Sequence, residues 1–80
     1  MSAPGLEALL VRLKYGSGPW NAWRDEEPDA EIVLDGANLN GMILTGANLH
    51  EADLLGARLA GARYSPDDLR GALHVPSGQR

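Results

Sequence analysis

The sequence predicts a mainly β solenoid, a chain coiled around a leucine-lined axis and closed at its ends by short helices. Three observations carry this. Leucine or a substitute stands at every fifth position, as Leu34, Leu39, Leu44, Leu49, Leu54, Leu59, Tyr64 and Leu69. Glycine recurs in a second phase of the same period, as Gly36, Gly41, Gly46, Gly56, Gly61 and Gly71. The chain has 80 residues, no cysteine and no phenylalanine, so a narrow, regular interior of leucine and alanine suits it better than a globular core.

The N-terminal element is an amphipathic helix over about 4–14, because Leu6, Leu9, Leu10 and Leu13 follow the i, i+3, i+4, i+7 pattern and Gly16 and Gly18 stop it. A second helix, about 19–26, starts at Pro19 and carries Trp20 and Trp23 on one side. Together they form an apolar lid, and residues 1–31 are read as a helical cap. Such a cap is needed because so few coils leave both ends of their leucine stack open to water.

The repeat itself occupies 32–64. At the helical 100° per residue, a step of five turns through about 500°, which scatters the leucines around the axis. On a flat strand an odd step sends each leucine to the opposite face. A bend in every unit resolves both conflicts. Each unit runs small residue, polar residue, leucine, as in Ala37, Asn38, Leu39 or Ala52, Asp53, Leu54, which is strand alternation lasting three residues. The glycine then adopts a positive φ and turns the chain. Leucine and the small residue two places before it point inward, and the neighbours of each leucine point outward.

The stretches "GANLNG", "GANLHE", "GADLLG" and "GARLAG" closely resemble the pentapeptide-repeat proteins, whose signature is Ala, Asp or Asn, Leu and two variable residues. The resemblance implies a right-handed quadrilateral parallel β-helix with four pentapeptides to a coil. Residues twenty apart then stack, Leu34 with Leu54, Leu39 with Leu59, Leu44 with Tyr64 and Leu49 with Leu69. "WNAWRDEEPD" is similar to the leader before the first repeat in many bacterial members, which implies an intact small protein of bacterial or phage origin.

Four residues depart from the pattern. Ile32 and Met42 replace the inward alanine, Tyr64 replaces a leucine, and Asp67 falls at an inward position where an unpaired carboxylate is costly. "SPDDLRGALH" reads instead as a short helix, with Ser65 as N-cap, Pro66 at the first helical position and two acids at the positive end of the dipole. A continuing coil is the alternative for this segment, and residues 65–80 are read as a C-terminal cap and tail.

The formal net charge of −4 argues against nucleic acid as a partner, because cations to displace counterions are few and mixed with acids. The N-terminal apolar run is too short and too acidic for a secretion signal or a membrane span, so a cytoplasmic protein without membrane contact is expected. No disulfide or thiolate metal site can form without cysteine. His50 and His74 have no second ligand at metal spacing, and no nucleophile stands beside a base, so no catalytic residue, metal, cofactor or enzymatic activity is expected. The acidic run from Asp25 to Asp35 is either a docking site for a basic partner or a solvated junction.

The outward residues sort by side. Asn38, Asn40 and Arg58 share one, Ile43, Thr45 and Arg63 the next, and Asn48, His50, Asp68 and Arg70 another. The remaining side carries Val33, Leu55 and, if the chain continues its coil, Leu73 and Val75, which the N-terminal helix covers or a partner does. The expected function is that of a non-enzymatic structural or adaptor protein that binds protein, with a symmetric dimer through this side or the adjoining end favoured. Two alternatives come with the resemblance or with small size: a DNA mimic that binds the topoisomerase gyrase, which the short chain and its interspersed arginines disfavour, and a structural component of a virion or similar particle.

Overall fold

A computed structural model describes residues 4–76. The outer ends of the expected cap and tail, residues 1–3 and 77–80, lie outside the described residues. Helix α1 spans Leu6–Lys14, α2 spans Ser17–Glu26, and a single 3-10 turn spans Pro66–Leu69. Helix α1 starts later than its apolar pattern suggests because Gly5 is extended, with φ −64° and ψ 160°. Helix α2 starts earlier, at Ser17, and holds Pro19 in its first turn, where a backbone N–H would have no acceptor within the helix. Gly16, at φ 108°, reverses the chain between them.

Residues 32–64 wind as a coil with twenty residues per turn. Parallel bridges pair Val33 with Asp53, Asn38 with Arg58, Ile43 with Arg63 and Asp53 with Leu73. Each is isolated, so no continuous strand forms among the described residues. The corners explain this. Every five residues a leucine carbonyl accepts from the N–H three places on, as Leu34 does from Ala37 (3.0 Å) and Leu54 from Ala57 (2.9 Å). The third place of each such turn has a positive φ, between 69° and 81° at six glycines and 63° at Glu51, the geometry of a type II turn. All six glycines read as corners adopt it. Between corners only about three residues run straight, enough for one rung of backbone pairing such as Leu39 N–H to Arg58 C=O (2.9 Å) and Arg58 N–H to Ala37 C=O (2.8 Å).

Leu34, Leu39, Leu44, Leu49, Leu54 and Leu59 form the axis and are buried, with Ala37, Ala47, Ala52 and Ala57 beside them. Leu9, Leu13, Trp20 and Trp23 join the same cluster from the cap. Trp20 and Trp23 meet at 5.3 Å between ring centroids, and the Arg12 guanidinium stacks 4.6 Å above the Trp23 ring.

Several expected core positions need correcting. Leu6 is exposed, because it lies in the first turn of α1, and Leu10 is only partly buried. Tyr64 and Leu69 are partly buried as well, because the chain leaves the coil between them for the 3-10 turn that Leu69 ends. Asp67 faces solvent and pairs with Arg70 at 3.0 Å, which avoids the buried charge. Beyond Arg70 the chain rejoins the coil. Leu54 N–H donates to Leu73 C=O (2.9 Å) and Leu73 N–H to Ala52 C=O (2.7 Å). The segment after Ser65 is thus a short helical excursion followed by resumed coil, so each of the two readings holds for part of it.

Candidate docking surface

The coil has four sides. On the first, the Val33, Asp53 and Leu73 bridges stack three rungs, and their outward side chains, with Leu55 and Val75, form the surface. Helix α1 does not cover it: Val33 is 44 % exposed, Leu55 55 %, Leu73 46 % and Val75 39 %. The helix instead packs Leu9 and Leu13 into the core, with Leu13 and Lys14 beside the Asn40–Ile43 corner.

Between the apolar side chains sits a polar trio the sequence did not signal. His74 Nδ1–H donates to Asp53 Oδ1 at 3.0 Å, and Leu55 N–H donates to the same oxygen at 3.1 Å. The His74 bond, then the Leu55 N–H, hold the Asp53 carboxyl below the usual carboxylate range. Asp35 is pushed the other way, first by desolvation and then by the negative charge of Asp53. His74 reaches this place because its backbone is left-handed, at φ 53°. A groove of about 480 Å³ adjoins the first side. Val33, Asp53 and Leu73 belong to both, and the rest of the lining includes Asp29, Glu31 and Glu51 together with Arg24 and His50.

The fourth side, around Asn48, is built differently. Twenty residues earlier the chain is not coil but the end of α2, so the upper edge of this rung has no backbone partner. Side chains of α2 replace it. The Asn21 amide donates to Gly46 C=O (2.9 Å) and accepts from Asn48 N–H (2.6 Å), as a peptide group of another coil would do. Trp20 Nε1–H donates to Asn48 C=O (2.8 Å), and Arg24 donates to the carbonyls of Asn48 (2.9 Å) and His50 (2.8 Å). Burial lowers the Arg24 pKa from its ordinary value, and Glu51 opposes that.

Below the same rung, the 3-10 turn supplies Asp68. Its Oδ1 accepts from Gly46 N–H (3.0 Å) and its Oδ2 from Ser65 N–H (2.8 Å), closing the expected N-cap as a reciprocal box. These backbone donors, Ser65 first, hold the Asp68 carboxyl below the usual range.

Of the residues singled out by sequence, Val33, Leu55, Leu73 and Val75 are brought together, and the cap residues Leu9, Leu13, Trp20 and Trp23 reach the core. His50 stays apart from His74; its Nε2 is 3.8 Å from Glu51, and its ring lies over Gly71, where a Cβ would clash. Among the described residues no three His, Asp or Glu side chains are placed to hold a metal ion, and no helix is long and apolar enough to cross a membrane.

A repeat of five residues, coils of twenty and a left-handed residue, glycine at all but Glu51, at each turn define the class, a pentapeptide solenoid. The family model described as "Pentapeptide repeats (8 copies)" matches residues 31–63. That segment is thus shown to be built of pentapeptide repeats. No curated protein and no solved structure matches it.

Proposed function

We propose that this protein is a non-enzymatic structural or adaptor protein that binds another protein chain on the first side of its coil. The coil in this reading is the right-handed quadrilateral parallel β-helix of its family, whose flat sides are natural docking surfaces. One observation carries the reading. Val33, Leu55, Leu73 and Val75 stand exposed on one flat side, although the same short chain packs Leu9 and Leu13 of α1 into its core. The pentapeptide-repeat match supports an interaction or structural role in the same direction.

The dimer expected from the sequence is one form of this function, with a second copy as occupant. Static light scattering over a concentration series tests it together with Leu55→Lys. A dimer mass that this substitution reduces to one chain's, with the melting temperature kept within a few degrees, supports the copy-to-copy form. A single-chain mass at all concentrations removes the copy and leaves a foreign chain as occupant. A collapse in melting temperature on Leu55→Lys overturns the docking role, because Leu55 then serves the fold.

A further inference from the structure

We infer that the occupant of the first side is a short segment of another protein that combines lysine or arginine with apolar side chains, and not a second copy of this chain. The inference rests on the docking reading above and names the chemistry of the partner. Charge decides first. The apolar side chains Val33 and Leu73 form one wall of the groove whose remaining lining includes Asp29, Glu31, Glu51 and Asp53. The groove's one arginine, Arg24, already spends its guanidinium on the Asn48 and His50 carbonyls, and His74 is held by Asp53. The four acids outnumber that one arginine, so the surface pairs apolar anchors with a net negative field.

A second copy fits this poorly. Two-fold docking would set the acids of one groove against those of the other, since the matching patch is the same on both chains, and like charges brought together at an interface are repulsive. The chain's own Arg58 and Arg63 project from other sides, as their bridges to Asn38 and Ile43 require. Area decides second. Three rungs about 4.8 Å apart, each about three residues wide, give a flat patch of a few hundred Å² with side chains included. A stable dimer needs roughly 800 Å² from each partner. A segment of several residues needs far less, and electrostatic attraction from the groove adds steering.

The test uses the full chain and three fluorescent synthetic peptides of about ten residues. One alternates lysine and arginine with valine and leucine; the second replaces every cation by glutamate; the third replaces every apolar residue by serine. Anisotropy titrations at roughly 50 and 500 mM NaCl measure affinity, and amide NMR shifts locate contact. The basic apolar peptide binds at least about tenfold tighter than either control, loses affinity severalfold at the higher salt and shifts Val33, Asp53, Leu55 and Leu73. Leu55→Ser weakens it about tenfold without moving the melting temperature. Equal affinity for the glutamate peptide at the same residues keeps the docking reading and overturns the basic partner. A dimer that Leu55→Lys dissociates also overturns it, in favour of the copy. Contact elsewhere, or no binding of any peptide, overturns it too, and with a single-chain mass it overturns the docking reading as well.

Discussion

The first and fourth sides of the coil solve the same problem with different materials. On the first, backbone pairs with backbone over three rungs, Val33 to Asp53 to Leu73. On the fourth, the rung at Asn48 meets no neighbouring rung above, and Asn21, Trp20, Arg24 and Asp68 stand where peptide groups would be. Any residue of suitable shape serves the first arrangement, because the hydrogen bonds belong to the main chain. The second depends on individual side chains. Sensitivity to mutation should therefore sit at the inward positions throughout, and at polar positions most of all beside the fourth side.

The largest effect tests what the two sides share. Leu54 is fully buried on the axis, and Leu54→Asp places an unpaired charge where no partner is in reach, at a cost of several kcal/mol. In a domain this small that abolishes folding, and loss of the cooperative thermal transition by circular dichroism checks it. A cooperative melt near the wild-type temperature would refute the shared dry axis.

Next comes the contrast itself. Asn21→Ala removes both amide bonds to the rung at Gly46 and Asn48, which costs about 1–3 kcal/mol. Val33→Ala, on the exposed first side, costs about 0.5 kcal/mol or less. Urea melts of the two variants compare them directly, and equal losses would erase the distinction. Asn21→Asp sharpens it further: the acceptor for Asn48 N–H is kept, but an oxygen now faces the Gly46 carbonyl, so this variant falls at or below Asn21→Ala.

The third prediction concerns pH. The folded pKa of Asp68 lies below its unfolded value, near about 3.9. Its contribution is then fully present above that value and is lost as pH falls through the folded pKa. Asp53 behaves with the same sign, while Asp35, whose pKa is raised, opposes it. Melting temperature declines below about pH 4, and Asp68→Asn flattens part of that decline while lowering the plateau at neutral pH. An unchanged acid profile would remove Asp68 from the closure of the fourth side.

The smallest effect lies at a corner. Glu51 takes the place of a corner glycine with φ 63°. Glu51→Gly relieves about 1 kcal/mol of left-handed strain but frees the unfolded chain by a similar amount, so stability moves by about 0.5 kcal/mol or less, read as a small shift in the urea midpoint.

The periodic part was legible because its cause is periodic. One glycine in five turns the chain and one leucine in five fills the axis, so corners and buried alanines follow from spacing, while the partnership of residues twenty apart came from the family resemblance. The grouping of Val33 with Leu55 came from the implied coil, and that of Leu73 and Val75 with them depended on the coil resuming after the 3-10 turn. The ends were not legible in this way. Nothing in the spacing of Asn21 and Asn48 announces a side-chain amide standing in for a peptide, and the Asp53 to His74 bond needs the left-handed backbone at His74. Leu6 misled because its helical phase is right but its position in the first turn leaves it beyond the stack. Tyr64 and Leu69 keep the phase of the repeat, and only the detour through Pro66–Leu69 withdraws them from the centre.

The Asn21 amide has a consequence for how such a chain can change length. It recognises one side of the coil from above, and Asp68 recognises that same side from below. Five residues inserted between them would rotate everything downstream by a quarter turn and present Asp68 to the wrong side. Twenty would restore the match and lengthen the rod by one rung, about 4.8 Å. The two stoppers thus act as a gauge, and a working protein of this design grows or shrinks by whole coils.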